Sequence, residues 1–299
     1  MLDGAIIVWF ILTGASLAFV VWDSVSNGVT SWVQRLAWIL VTAYTGPVGV
    51  FFYLLACRRP FPGAHDRYTR AVWKQSLNSE MHCLAGDATG ILIAASIVPA
   101  FGLSNGWDAT IEYLAGFVCG LFIFQALMML PMYAGNYFMA VRKTFFAETV
   151  SMNFVMAGMI PTMVVLASIW EGSDDPLQPA FWFRMSLASI VGGVFAYPVN
   201  YWLVKNHLKH GCMTLPNADG PAPGRGHRSP EPAVTGLVRG PHDEQSPPSS
   251  HGGNQQEAMM MKSLPFYQMA LWVFTSFAVL LIALYVTNHW APIRFAMAS

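Results

Sequence analysis

Residues 79–101 read SEMHCLAGDATGILIAASIVPAF. The second half, Ile91 to Phe101, is an apolar run, and a histidine, a thiol and a carboxylate stand at its mouth as His82, Cys83 and Asp87. If this stretch is a soluble core helix, Asp87 needs only a partner. If it crosses a bilayer, an Asp near the helix centre costs roughly 2.5–3.5 kcal/mol on insertion scales. The fold turns on which of the two it is.

Composition decides for the membrane. Of 299 residues, 55% are hydrophobic and 11% charged, against about 25% charged in a soluble domain. Sixteen basic residues balance sixteen acidic ones, so no excess charge points to nucleic acid. A crossing helix needs roughly 17–25 apolar residues. Seven stretches qualify: 4–22, 35–57, 81–101, 112–140, 149–170, 181–204 and 265–287. Lipid offers the backbone no partner, so they must be helices, and nothing reads as barrel strands. The expected class is all-α: a polytopic transmembrane helix bundle of about seven spans in the cell inner membrane, with the lipid bilayer as its standing partner. The first span is not expected to be a cleaved signal, because it lacks a basic n-region and Asp3 precedes it.

Charge sets the expected orientation. Arg58, Arg59, Arg67, Arg70, Lys74, Arg142, Lys143, Lys205, Lys209 and four linker residues fall on alternate loops, thirteen of the sixteen basic residues. The intervening loops carry Asp23, Asp108, Glu112, Glu171, Asp174 and Asp175. The positive-inside rule then puts the N-terminus in the cytoplasm and, after seven crossings, the C-terminus outside. Cys57, Cys83 and Cys212 fall on the reducing side, and no disulfide is expected.

Three parts follow. Residues 1–213 form a six-span membrane domain. Residues 214–263 contain no aromatic residue and are rich in Pro, Gly and Ser, so a disordered cytoplasmic linker is expected, with a capacity to recruit a protein partner. Residues 264–299 hold a seventh, tethered span and a short external tail.

At helical spacing Cys83, Gly86, Asp87 and Gly90 share a face. Gly86 and Gly90 form a GxxxG pair that admits a neighbouring backbone. Asp87 then faces protein, about 9 Å inside a span that starts at Met81. Three readings of this mouth stay open: a buried Asp satisfied by hydrogen bonds with Cys83 as filler, a soft-metal site of imidazole and thiolate, and a proton relay or redox site.

Methionines add to the metal reading. Met152, Met156, Met159 and Met163 line one face of the fifth span, and Met128, Met129, Met132 and Met139 lie in the fourth. With the connecting turn placed at VRKTFFAE, 141–148, the pairs Met139/Met152, Met132/Met159 and Met128/Met163 stand level, as a thioether path for Cu(I) would require. Plain packing by a flexible side chain is the alternative. The MxxxM spacing resembles that of Ctr-type copper transporters. His207, His210, Cys212 and Met213 form a further imidazole and sulfur group at the end of the sixth span. Asn200 is expected to cap the carbonyl that Pro198 leaves free, or else to line a polar cavity with Asp87.

The segments WILVTAYTGPVGVFFYLL (38–55), MHCLAGDATGI (81–91) and FWFRMSLASIVGGVFAYPVNYWLVKNHLKHGCM (181–213) together resemble the bacterial domain-of-unknown-function 4396 family. The resemblance implies a multi-pass membrane protein and carries over His82, Cys83, Gly86, Asp87, Gly90, Pro198, Asn200 and Trp202. It implies no activity. The sequence contains no P-loop, dinucleotide fingerprint or HExxH, so an enzyme is not expected. The leading functional expectation is handling or transport of a soft metal, Cu(I), by His82, Cys83 and Asp87 with the methionine path. A non-catalytic scaffold or assembly factor, and a proton-coupled transporter of a small solute using Asp87, are the alternatives.

Overall fold

The Gly46–Pro47 step governs the N-terminal third. In the computed structural model, which describes residues 2–26, 32–58, 71–211 and 264–295, helix α1 spans Leu2–Ser26 and α2 spans Trp32–Thr45. The chain then reverses at Gly46, whose φ of 56° is open to glycine, and α3 begins at Pro47, with proline in the first helical turn. α3, Pro47–Phe52, continues through a π-helical turn at Tyr53–Cys57. Trp38 and Tyr53 meet edge-on at 5.6 Å, and a Cβ at Gly49 would fall 2.8 Å from the Thr42 Cα. The two arms are therefore packed antiparallel.

The expected single helix over 35–57 is instead two shorter helical arms joined at Gly46. An arm of fourteen residues reaches about 21 Å and the return arm less, short of the roughly 30 Å of a bilayer core. The stretch enters the bundle and comes back, its tip against Thr13 and Trp9 of α1. Hydropathy alone reads two half-helices as one whole one.

Six helices remain that are long and apolar enough to cross a membrane, among the described residues: Asp3–Ser26, Val72–Phe101, Asn105–Tyr133, Tyr137–Ile169, Pro179–Lys205 and Phe266–Trp290. We name their α-helical parts α1, α4 (Val72–Ile97), α5 (Asn105–Val118, prolonged by a π-helical segment Cys119–Gln125 and short turns to Tyr133), α6 (Tyr137–Ile169), α7 (Pro179–Lys205) and α8 (Phe266–Trp290). Broad apolar faces of α1 and α8 stay uncovered, Ile7 and Ile11 on one and Phe274 and Leu281 on the other.

Ring and backbone contacts fix the ends. Trp9 packs on Phe183, and Phe183 stacks on Trp170, so the start of α1 lies with the end of α6 and the start of α7. Gly106 N–H donates to the Arg294 carbonyl at 2.8 Å, which joins the start of α5 to the end of α8. At the opposite end Asp23 accepts from Arg58 at 3.0 Å and from Tyr53 at 2.9 Å. With an even number of through-going helices, the start of α1 and the end of α8 share an end. Seven through-going helices would set the two termini at opposite ends of the bundle; among the described residues they lie at one end. Arg58 and Lys74 lie at one end, the basic end, where Asp23, expected on the opposite loops, pairs with Arg58; Asp108 and Asp174 lie at the other, where Arg184 pairs with Asp174.

α6 is the central helix. It crosses α7 where Gly158 and Gly192 face each other, a Cβ at Gly158 falling 3.0 Å from the Gly192 Cα. α8 docks on it through Asn153, which donates to Ser276 at 2.9 Å and accepts from Tyr113 of α5 at 2.8 Å. Near the basic end Trp202 and Trp272 lie 4.0 Å apart. The expected linker, 214–263, lies outside the described residues.

Candidate functional site

α4 begins nine residues earlier than the apolar run suggests, at Val72. Asp87 therefore stands about 22 Å along the helix, at its middle rather than its mouth. His82, Cys83 and Asp87 are all buried, at 1%, 1% and 0% exposure. The GxxxG face does what its small residues predict. A Cβ at Gly86 would fall 2.8 Å from the Gly120 Cα, and one at Gly116 would fall 3.1 Å from the Asp87 carbonyl. Gly86 and Gly90 of α4 thus meet a second GxxxG, Gly116 and Gly120, and two backbones touch.

The crossing leaves a bare spot at Gly120, and carboxyls occupy it. A Cβ there would collide with Asp87 Oδ1 and with Glu148 Oε1 of α6. The two carboxyls flank the same glycine, and each lies close enough for its charge to act on the other, but no hydrogen bond joins them among the described residues. Glu148 is fully buried. Its Oε2 accepts from Gln125 Nε2 at 2.9 Å and from the Cys83 thiol at 3.3 Å, and Gln125 also donates to Cys83 Sγ. Gln125 ends the π-helical segment of α5. Such widened turns re-aim side chains and recur at functional sites. His82 Nε2 lies 3.0 Å from the Phe124 carbonyl in the same segment. His82 and Cys83 thus serve different partners rather than one ligand.

A cation reaches this cluster from an unexpected place. α7 ends in a Schellman-type turn: Leu208 N–H donates to the Leu203 carbonyl at 2.9 Å and His207 N–H to Val204 at 3.0 Å, with His207 at φ 60°. The turn sends Lys209 back into the bundle, where it is 4% exposed. Its amine donates to Ser151 Oγ at 3.2 Å and to Asn200 Oδ1. Burial alone would lower the Lys209 ammonium, but Cys83, Glu148 and Glu80 more than offset it and hold it above the ordinary lysine range. Asn200 donates to Ser151 at 2.9 Å and to the Ala196 carbonyl at 3.2 Å. The carbonyl freed by Pro198 is that of Val194, so the expected capping role is replaced by a place in this polar network. Glu80, 1% exposed, completes it.

The methionine register is corrected. The turn lies at Ala134–Asn136, not at 141–148. Ala134 and Gly135 have φ of 51° and 80°, and Asn136 caps α6 by accepting from Met139 N–H at 3.0 Å. Met139 and Met152 therefore ride on one helix, and the three level pairs do not form. Met139 is exposed, and Met128 and Met132 are half-buried near the basic end. Met152, Met156, Met159 and Met163 are buried, but they serve different neighbours: the Met152 methyl covers Gly116 and Met159 covers Gly192. Among the described residues no group of three or more His, Cys, Asp or Glu is arranged to hold a metal ion. His210 is pushed down to about 4 by burial. Cys212 and Met213 lie outside the described residues. Cys83 and Cys119 form no disulfide among the described residues.

Glu80, Gln125, Glu148, Ser151 and Lys209 escape the sequence reading. A turn at 141–148 puts Glu148 in a loop, and hydropathy ends the sixth span before Lys209. The available signal was Gly135–Asn136, a turn followed by a good helix N-cap.

Residues 72–209 match a family model described as a domain of unknown function (DUF4396). The match runs from the start of α4 to Lys209, so it contains every member of the polar cluster and leaves out α1 to α3. No curated protein and no solved structure matches the chain.

Proposed function

We propose that this chain, which carries a domain of the DUF4396 family over residues 72–209, is a proton-coupled membrane transporter of a small solute, with Asp87 and Glu148 as its proton-binding pair. The basic end faces the cytoplasm of the inner membrane by the positive-inside rule. The observation that carries this reading is the pair itself: two buried carboxyls against one bare glycine, on helices long enough to cross a membrane.

The chemistry follows from charge. Glu80, Asp87 and Glu148 are three buried acids, and Lys209 is the cation within their network among the described residues. An uncompensated buried carboxylate is costly in a low-dielectric bundle, and proton uptake removes that cost. Two carboxyls side by side cannot both hold a full charge cheaply. Cys83 and Gln125 fix Glu148, and Lys209 sets how many of the acids stay ionised. A rearrangement that moved Lys209 or admitted water would then load or release the proton.

The other expectations have less behind them. A Cu(I) path loses its level thioether pairs, and a scaffold role rests on residues 214–263, outside the described residues. The test is proton flux into proteoliposomes containing a pH-sensitive dye, under an imposed pH gradient with the potential clamped by valinomycin. Flux above empty vesicles is expected, with Asp87→Asn and Glu148→Gln each reducing it to the empty-vesicle level. Equal flux in all three proteins, or none in any, overturns the reading.

A further inference from the structure

We propose that the cavity beside Glu80 binds a hydrophobic organic cation, with the carboxylate as the partner of its charge. This names a solute class for the transport reading and rests on it for that role, while the binding itself is a separate claim.

The cavity has a volume of about 400 Å³, within the usual range for small-molecule sites. It lies between the re-entrant hairpin, α4 and α7, with Phe52, Trp73, Tyr197, Ser189 and Gly193 among its walls. Val194, also on its wall, is 66% exposed, so the cavity opens sideways on the bundle flank, where a solute partitioned into lipid would enter.

Its walls are apolar but for a few groups, and those are mostly committed. Ser189 Oγ donates to the Met185 carbonyl at 2.9 Å, Thr45 Oγ1 to Val41 at 2.7 Å and Tyr197 OH to Trp73 at 3.3 Å. Glu80 differs. It is 1% exposed, lines the cavity, and neither carboxyl oxygen has a well-formed hydrogen bond among the described residues, the nearby Asn200 amide being directed to Ser151 and the Ala196 carbonyl. Lys209, whose charge acts on it, directs its hydrogen bonds to Ser151 and Asn200. A buried acid whose neighbouring donors are directed elsewhere calls for a positive partner. The aromatic rings on the same wall favour a cation with an apolar body. An acyl chain would fill the volume but leave Glu80 as it is.

The probe pair is benzyltrimethylammonium and its uncharged isostere neopentylbenzene, titrated calorimetrically into the full chain in detergent. The cation is expected to bind at least tenfold more tightly than the isostere. Glu80→Gln should erase that preference. Gly193→Leu should abolish binding of both: a Cβ at Gly193 makes only ordinary contacts, 3.4 Å to Leu84 and 3.9 Å to Glu80, so the longer side chain folds in place and fills the cavity. Equal binding of the two probes, no binding of the cation, or an unchanged preference in Glu80→Gln overturns the proposal. If Glu80→Gln fails to fold, the probe comparison and Gly193→Leu decide. Cation binding with no vesicle proton flux retires the transport reading alone, and flux without cation binding retires this one alone.

Discussion

Two helix crossings in this bundle use the same device and fill it differently. α4 meets α5 through Gly86, Gly90, Gly116 and Gly120, and α6 meets α7 through Gly158 and Gly192. In both, the missing Cβ atoms let backbones touch. At Gly192 the space is taken by Met159, and at Gly120 by Asp87 and Glu148. The first crossing needs only shape, and a flexible thioether supplies it. The second holds charge that must be balanced, and Lys209, Gln125 and Cys83 are recruited to balance it. Close approach of helices therefore does not make a site; what fills the gap does.

The largest expected effect removes the balance. Lys209→Met keeps the length and apolar stem but deletes the cation, and the loss of one partner from a buried ion network costs about 3–5 kcal/mol. Thermal unfolding in detergent should show a large drop, relieved in part by adding Glu148→Gln. An unchanged midpoint would mean that Lys209 does not belong to the cluster.

Next comes the glycine. Gly120→Ala sets a methyl against two carboxyls, and overpacking costs about 1–3 kcal/mol. The carboxyl variant Glu148→Gln should not restore it, because the obstruction is steric. Met159→Leu at the other crossing preserves volume, and the expected loss is below about 1.5 kcal/mol. If Met159→Leu proved the costlier of the two, the contrast between the crossings would be gone.

The smallest effect is in pH. His210 is held neutral by burial, its folded value lowered to about 4 from the ordinary 6.5 or so. A lowered folded value gives stability that is present above about 6.5 and lost as pH falls toward 4. His210→Gln should flatten that part of the Tm-against-pH curve by a few degrees, on the order of 2–4 °C per kcal/mol for a domain of this size. An identical slope in both proteins would place the acid sensitivity elsewhere.

Much of the fold is legible in the sequence, because hydropathy reports how long each apolar stretch is. The all-α bundle and the protein-facing side of Cys83, Gly86, Asp87 and Gly90 both follow from it. Hydropathy does not report direction. Residues 35–57 are apolar enough to cross, yet Gly46–Pro47 turns them back, and a Gly–Pro pair is a turn signal before it is a kink. The same blindness put Glu148 in a loop. Once the turn is at Gly135–Asn136, Glu148 rises three turns into α6 and meets Asp87. Lys209 was harder still, since it follows the apolar stretch and returns only because the chain closes a left-handed turn at His207. A partner that comes from a neighbouring helix leaves no mark in local spacing.

The most direct test is whether the Asp87–Glu148 pair holds a proton inside the folded bundle. Infrared difference spectroscopy of the purified protein, exchanged between H₂O and D₂O at neutral pH, reads the protonated-carboxyl C=O stretch. The account predicts a deuterium-sensitive carboxylic-acid band that is lost or displaced in Asp87→Asn and in Glu148→Gln. No such band, or one untouched by both substitutions, would contradict it.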